Sequence, residues 1–209
     1  MAVQPITARQ ATEVVVEHHY LHRRPPISAA FGLFDRGGLV GAVTFGVPAS
    51  RHLQKSACPE DPQAVIELNR LWVLDEMPRN TESWFVSRAL KQLPARIVVS
   101  YADTTYGHVG YVYRALGWNY AGWTDMERKT ARLDYIPLDP QAHTREAFRS
   151  GYSEVRYRKP KAKYWTTTGN PTDRRVLRQR CGWPVLSWDD YPVPMEHKQI
   201  RLKERESCG

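Results

Sequence analysis

One stretch near the middle of the chain constrains the fold more than any other. The β-branched run 97–99 (Ile-Val-Val) has the composition of a buried central strand and ends in polar residues at 100–103. A glycine-containing turn then leads into a segment with helical spacing, 109–116, which ends at Gly117 before an aromatic run. A strand, a polar end and a helix that packs back on the sheet predict an α/β fold with a ligand site at 100–103.

The rest of the chain alternates between helical and strand patterns. A capping box opens a first helix at Thr7, and glycines between two β-rich runs predict a hairpin over 27–45. The other predicted elements are a loop over 51–63, a strand over 64–74, a helix from Asn80 or Thr81 that ends at Pro94, strands over 96–101, 118–124 and 132–136, a helix up to Arg149, strands over 153–158 and 162–167, and a last helix opened by Asn170 and Pro171. This order predicts a mixed sheet flanked by helices, in which pairing changes from antiparallel to parallel between 64–74 and 96–101.

Charge is spread unevenly along the chain. The 209 residues carry a net charge of +8, and 11 Lys and Arg against 3 acidic residues lie between Arg145 and Arg180. Such a block favours a polyanionic partner, nucleic acid first, although a solvated basic face has the same composition. We expect a catalytic core over 1–138, a basic α/β extension over 139–194 that packs on the core and contacts DNA, and a charged tail over 195–209.

Cysteine usage and hydropathy indicate the compartment. The three cysteines, at 58, 181 and 208, are widely spaced, which argues against a disulfide framework and against a zinc knuckle. No apolar run reaches the roughly 20 residues that span a bilayer, and the first residues lack a secretion signal pattern. The sequence therefore predicts a cytoplasmic protein without a membrane partner.

Cations alternate with aromatic residues within the basic block. Lys and Arg neutralise phosphates, while Tyr and Trp stack on bases or wedge between them. Arginines on the last predicted helix are placed to follow the same nucleic-acid backbone. The predicted DNA-binding residues are Arg156, Arg158, Lys159, Lys161, Lys163, Tyr164, Arg174 and Arg175.

Candidate catalytic residues lie on the strand over 64–74 and after the run 97–99. A charged residue in mid-strand needs a partner if it is buried, so Arg70 is either one half of a structural ion pair or a clamp for a substrate carboxylate or phosphate. Asp103 is a candidate partner across the sheet, and is itself interpreted as a base, a metal ligand or a helix cap. Tyr113 is either a phenol that protonates a leaving group or a core aromatic residue, and His108 lies in the preceding turn.

Two further patterns suit ligands. Residues 18–22 hold three histidines and a tyrosine, which either bind a divalent metal or move protons, or else mark a helix end favoured by the dipole. For a metal, His19 and Asp103 are the candidate ligands. The helix that begins near Asn80 and carries Ser83 presents free backbone N–H groups, which suit a phosphate of a donor molecule.

Five segments together resemble the Mom family of phage DNA-modification proteins. They are His19-Tyr20, the strand 68–73, the helix 80–90, the stretch 100–110 and the segment 113–118, within a resemblance that covers roughly 18–184. The resemblance implies a GNAT-like fold. It also implies an enzyme that converts adenine in duplex DNA to the N6-carbamoylmethyl (glycinamide) form, a modification that protects phage DNA from restriction. The functional residues it implies are His19, Tyr20, Arg70, Asp103 and Tyr113, with Ser83 or Ser87. Iron and acetyl-CoA are both associated with the family.

The resemblance leaves the acyl donor open. The Gly-rich Arg/Gln-x-x-Gly-x-Gly/Ala loop of ordinary GNAT enzymes is replaced here by the segment 79–83 (Arg-Asn-Thr-Glu-Ser), which argues against ordinary CoA binding. The alternative to an acyl-CoA is a glycyl ester such as glycyl-tRNA, whose glycyl group would be transferred to a flipped adenine and then rearranged. The predicted donor-binding residues are Asn80, Ser83, Ser87 and His108. DNA is the expected partner, with tRNA as a second.

Three other functions fit parts of the sequence. A GNAT acetyltransferase for another amine predicts tight CoA binding and gives the cations at 157–165 no role. A non-catalytic DNA-binding module predicts that Asp103→Ala leaves function intact. A metal-dependent radical enzyme requires iron for turnover.

Overall fold

The computed structural model describes residues 1–124, 132–139, 147, 149–187 and 190. Its α-helices are α1 (Ala8–His18), α2 (Arg51–Ala57), α3 (Thr81–Leu90), α4 (Tyr111–Ala115) and α5 (Pro171–Arg180). Its strands are β1 (Ala2–Pro5), β2 (Ala29–Asp35), β3 (Gly38–Gly46), β4 (Val65–Val73), β5 (Ile97–Asp103), β6 (Asn119–Trp123), β7 (Arg132–Pro137), β8 (Tyr152–Arg158) and β9 (Lys161–Thr167). Most of the helix predicted to end at Arg149 lies outside the described residues.

Seven of these strands form one mixed sheet, in the order β1-β2-β3-β4-β5-β9-β6. β4 and β5 pair in parallel, as predicted, and the neighbouring described pairs are antiparallel. The predicted α/β class, a mixed sheet flanked by helices, is confirmed. The loop predicted over 51–63 is wrong, because α2 and a 3₁₀ turn over 62–64 occupy most of it.

The two parallel strands separate partway along their length. Their register runs from Val65 opposite Ile97 to Glu67 opposite Val99, and beyond that point β4 and β5 diverge. The divergence coincides with a β-bulge at Asn69, the residue skipped between the pairs that join β4 to β3. An opening therefore forms between the second halves of β4 and β5.

The bulge also changes which face each β4 side chain occupies. Leu68 and Leu71, three positions apart, both belong to the hydrophobic core on the side of α3 and α4. Strict alternation predicts Arg70 on the side of Leu68, and this is wrong. Because the bulge shifts the phase by one residue, Arg70 and Glu67 line the same cavity.

The core has a layer on each face of the sheet. On one face Phe85 and Val86 of α3 and Tyr113 of α4 pack against the sheet. On the other face Leu177 of α5 packs with Trp165 and with residues of α2.

Strand β9 corrects the predicted domain boundary. It pairs with β5 along its whole length and with β6 on its other side, so residues 161–167 belong to the central sheet. The boundary at 138 therefore cuts through one folded unit.

The prediction that Tyr164 binds DNA is also wrong, because its ring is fully buried and its hydroxyl donates to the Val109 carbonyl at 2.6 Å. A Cβ on Gly110 (φ +86°) would lie 2.6 Å from that ring, which explains the glycine there.

Candidate active site

The opening between β4 and β5 gathers side chains from five segments of the chain. α1 begins with the Thr7–Gln10 capping box and ends at His18, which places His19 and Tyr20 at the edge of the opening. Arg70 comes from the bulged part of β4, and Asp103 is the last residue of β5. The other two contributors are α4, through Tyr113, and β9, through Lys161.

Arg70 is the most constrained of these side chains. One guanidinium N–H donates to the backbone carbonyl of Asn69 at 2.6 Å and another to that of Arg23 at 3.5 Å. Its Nε–H is buried and has no acceptor within the described part of the chain. Burial lowers the pKa of Arg70, so the site holds a desolvated cation with a hydrogen-bond donor to spare. An anion or a developing oxyanion would satisfy it.

Asp103 forms its ion pair with Lys161 rather than with Arg70. The carboxylate Oδ2 lies 2.6 Å from Lys161 Nζ, and Oδ1 accepts the backbone N–H of Thr105 at 3.0 Å. The sheet register sets this contact, because Asp103 on β5 lies opposite Lys161 on β9. Burial alone would raise the pKa of Asp103, but Lys161 and Thr105 outweigh it and hold the pKa below its ordinary value. Lys161, predicted to bind DNA, is thus placed in the site.

His19 and Tyr20 are stacked on each other, with ring centroids 4.1 Å apart. Burial, reinforced by Arg70 and His108, lowers the pKa of His19 to about 3, so its imidazole is neutral at physiological pH. Its Nδ1 accepts the Leu21 backbone N–H at 3.2 Å, which leaves Nε2–H as a neutral donor. Burial and the Asp103 carboxylate raise the pKa of Tyr20, whose ring also contacts Tyr106 and His108.

Tyr113 is buried on α4 and points at the start of the opening. Its hydroxyl lies 2.6 Å from Ser100 Oγ, and Ser100 donates its one hydrogen to the Leu68 carbonyl at 2.8 Å. The Tyr113 O–H is therefore the donor in their contact. Burial raises its pKa to about 12, so the phenol keeps its proton and can supply it to a leaving group.

Two cavities meet at these residues. The inner cavity, about 210 Å³, lies between β4 and β5 and is lined by His19, Tyr20, Ser100, His108 and Tyr113 among others. The basic cavity, about 270 Å³, is lined by Arg23, Arg24, Glu67, Tyr106, Arg156 and Lys161 among others. Asn69, Arg70 and Asp103 line both, so they form the wall between the two spaces.

Comparison with known proteins identifies the family. The Mom protein family model matches residues 1–180. The chain belongs to the Mom protein family. Methylcarbamoylase mom from Escherichia phage Mu is 32% identical over 129 residues, which is 58% of this chain and 54% of the phage Mu protein. The match thus spans about half the length of that relative.

Solved structures that resemble the chain include acetyltransferases. A putative acetyltransferase from Salmonella typhimurium, solved with acetyl-CoA, has a TM-score of 0.48 and 10% identity, covering 81% of this chain and 95% of its own. A GNAT phosphinothricin acetyltransferase from Sinorhizobium meliloti, also solved with acetyl-CoA, has a TM-score of 0.46 and 11% identity, covering 80% and 88%.

The predicted donor-binding residues divide between two places. His108 lines the inner cavity, whereas Asn80 lies in a separate pocket at the start of α3. Ser83 Oγ donates to the Asn80 carbonyl at 3.0 Å, and Ser87 lies one turn further along α3. Two carboxylates, Asp75 and Glu82, line that pocket beside a single arginine. These carboxylates would repel a pyrophosphate, so the start of this helix fits the CoA pyrophosphate poorly.

The site does not fit an iron ion well. Within the described ranges, no group of three or more His, Cys, Asp or Glu side chains is placed to hold a metal. Asp103 is already paired with Lys161, and the cations Arg70 and Lys161 add to the burial that lowers the pKa of His19. Positive potential at His19 opposes a further cation and favours an anion.

The predicted DNA-binding residues do not form one surface. Arg156 lines the basic cavity and is paired with Glu154 at 2.6 Å, while Lys159 is partly buried at the end of the β7–β8 hairpin. Lys163 lies over the Trp183 ring at 5.3 Å. Arg174 and Arg175 are exposed on α5, which starts beyond Thr167, the residue opposite the first residue of β5. They therefore lie toward the end of the sheet away from Asp103. The Arg158 side chain is outside the described part.

Sequence reasoning did not predict the pairing of Lys161 and gave Glu67 no role. Lys161 was assigned to DNA because it lies in a basic block, and only the β5–β9 register reveals its partner. Glu67 lies within the predicted strand over 64–74 without an assigned role, yet it lines the basic cavity, and burial raises its pKa to about 7 against the opposing influence of Arg70 and Lys161. The shift in apolar phase between Leu68 and Leu71 is the one sequence signal of the bulge that turns Arg70 toward Glu67. No helix of the described residues is long and apolar enough to cross a membrane.

Proposed function

We propose that this chain modifies adenine in duplex DNA by transferring a glycyl group to N6, followed by rearrangement to N6-carbamoylmethyladenine. The observation that carries the proposal is the pair of cavities that meet at Arg70 and Asp103, one of them walled by cations. Membership of the Mom family, and the adenine chemistry that the resemblance implies, support the choice of substrate. The protein would act in the cytoplasm of a bacterial host and protect phage DNA from restriction.

The basic cavity is the proposed place for the flipped adenine. Arg23, Arg24 and Arg156 line it and suit the phosphates on either side of an extruded nucleotide, while Tyr106 offers a ring for stacking. Tyr157 lies at its rim with 71% of its surface exposed, and is placed to fill the gap left in the duplex. Flipping is needed because N6 is paired inside the duplex.

The inner cavity is the proposed place for the acyl group of the donor. The carbonyl would lie at the wall. There the Nε–H of Arg70, which has no acceptor in the described part of the chain, can stabilise the oxyanion, with the neutral His19 as a second donor. Tyr113 would protonate the leaving oxygen. A glycyl ester fits this site better than CoA, given the two carboxylates at the start of α3.

The proposed chemistry balances without an oxidant. N6 forms a bond to the glycyl carbonyl carbon, the ester C–O bond breaks, and the released hydroxyl leaves with a proton. The free glycyl amine then attacks C6 to close a five-membered ring. The C6–N6 bond breaks, so the glycine nitrogen becomes the new N6 and the original N6 becomes the terminal amide.

The test is nucleoside mass spectrometry of DNA from cells that express the protein. Wild type should yield an adenosine heavier by one glycyl residue, and Asp103→Ala should lose it while the exposed Asp75→Ala keeps it. An adenosine heavier by an acetyl group would refute glycyl transfer and indicate an acetyl donor. Unmodified DNA with soluble, folded wild-type protein would refute DNA modification altogether.

A further inference from the structure

The proposed acyl transfer needs a group that takes a proton from the attacking amine. The ideal base has a pKa near the working pH. Asp103 is a weak base, because Lys161 and Thr105 hold its pKa low. His19 is weaker still, with a pKa of about 3 and its Nδ1 already accepting the Leu21 N–H. Asp103 and His19 therefore leave this role unfilled.

Glu67 is placed where such a base has to be. It is the last β4 residue paired with β5, immediately before the strands diverge, and lines the basic cavity together with Arg70, Asp103 and Lys161. The backbone N–H of Ala49 donates to its carboxylate, which fixes the side chain from the β3 side. The residue is partly buried, so the carboxylate is screened from bulk water but open to the cavity.

We propose that Glu67 is the general base that takes the proton from adenine N6 as N6 attacks the donor carbonyl. The inference rests on the proposed function and adds a residue that neither the family resemblance nor the sequence motifs assign. The proton of N6 passes to the Glu67 carboxylate, and the leaving oxygen takes a proton from Tyr113. Base and acid thus stand on opposite sides of the wall formed by Arg70 and Asp103.

The electrostatics of the cavity suit this role. Burial raises the pKa of Glu67 to about 7, and the nearby cations keep it from rising further. The charged and titratable groups that share the cavity come from every element around it: Arg23 and Arg24 after α1, Arg70 on β4, Asp103 on β5, Tyr106 after β5, Asp134 on β7, Arg156 and Tyr157 on β8, and Lys161 on β9. We expect the rate to rise with pH and to level off above about 7.

The experiment compares wild type, Glu67→Gln and Glu67→Asp with Glu13→Gln, an exposed carboxylate on α1. Purified protein and duplex DNA are added to a desalted lysate of cells that lack the protein, supplemented with ATP and glycine, which regenerates the cell's own donors. Initial rates of adenine modification are measured from pH 5.5 to 8.5. The modification rate of Glu67→Gln should fall by about 10²- to 10⁴-fold, and its pH–rate profile should lose the inflection near pH 7. The profile of Glu67→Asp should keep an inflection at a displaced pH.

The possible results distinguish failure of the Glu67 assignment from failure of the proposed function. A Glu67→Gln variant that keeps the wild-type rate, or that slows uniformly with the inflection intact, would overturn the assignment while leaving the proposed function standing. A wild-type protein that produces no modified adenine, in the lysate or in cells, would overturn the proposed function and the assignment with it. DNA binding by Glu67→Gln, followed by fluorescence anisotropy, should stay within twofold of wild type, and a larger loss would indicate a structural role.

Discussion

At the scale of single residues, the Nε–H of Arg70, which has no acceptor among the described residues, is the clearest sign of chemistry. A buried donor without an acceptor costs free energy, so it calls for an explanation, and a ligand that satisfies it is the explanation proposed here. Arg70→Lys keeps the charge but removes the planar set of donors. We expect the modification rate to fall by about 10²- to 10³-fold, the usual effect of losing one oxyanion donor. Nucleoside mass spectrometry over a time course measures it, and a wild-type rate in Arg70→Lys would exclude the oxyanion role.

Glu67 should carry a cost in stability that depends on pH. Its pKa is about 7 in the folded protein against an ordinary 4.5, so the folded state holds its proton between these values while the unfolded state has lost it. The contribution of Glu67 to the free energy of unfolding is therefore largest below about pH 4.5. It decreases as the pH rises to about 7 and does not change further above that pH. Glu67→Gln should therefore raise the free energy of unfolding by about 1–3 kcal/mol at pH 8 and leave it unchanged at pH 4.5. Urea unfolding at the two pH values measures this, and an equal effect at both would contradict it.

At this scale the sequence predicted residues that the structure brings together, but it did not predict their pairings, and the roles of these residues stay predictions. His19, Tyr20, Arg70, Asp103 and Tyr113 all line the inner cavity. The sequence did not predict the pairing of Asp103 with Lys161, because the two residues are 58 positions apart in the chain and only the sheet register brings them together. A raised pKa at Glu67 is likewise a property of burial, which sequence alone does not reveal.

At the scale of elements, the bulge in β4 shapes the site. Asn69 accepts from the buried Thr44 hydroxyl at 2.5 Å and donates to the Pro26 carbonyl at 2.8 Å. These bonds hold the extra residue in place where β4 leaves β5. The strand itself was predicted correctly, but the assumption of strict alternation put Arg70 on the wrong face.

Asn69→Ala should destabilise the fold and impair the site together. Loss of the amide leaves the Thr44 hydroxyl buried without its acceptor, which costs about 1–3 kcal/mol. Chemical denaturation measures this, with the exposed Gln63→Ala as the matched control. If Asn69→Ala unfolds at the same denaturant concentration as wild type, the bulge does not depend on these hydrogen bonds.

At the scale of the whole molecule, one sheet carries both cavities. The predicted mixed sheet and its change to parallel pairing were correct, because apolar runs and helix caps report on local structure. The division at 138 failed because β9 reaches back across the chain to sit between β5 and β6. The basic residues between Arg145 and Arg180 therefore lie in different places. Lys161 lies in the site, whereas Arg174 and Arg175 lie on α5.

DNA contact should depend on the cations of the basic cavity more than on net charge. Arg156→Ala should weaken duplex binding and reduce the salt dependence by about one phosphate contact, a change of about 1 in the slope of log K against log salt. Arg9→Ala removes the same charge from α1, where Arg9 is 88% exposed and pairs with Glu13, and should leave the slope unchanged. Anisotropy titrations at several salt concentrations measure both. Equal effects of the two substitutions would contradict a localised DNA surface.

The central claim is that glycine supplies the new atoms of the base. Cells that express the protein are grown with glycine labelled at its nitrogen and both carbons, and the modified nucleoside is fragmented in the mass spectrometer. We predict the glycine nitrogen at N6, both glycine carbons in the side chain, and the original adenine nitrogen in the terminal amide. A modified adenine that carries no glycine label, or one whose N6 is the original adenine nitrogen, would contradict glycyl transfer with rearrangement.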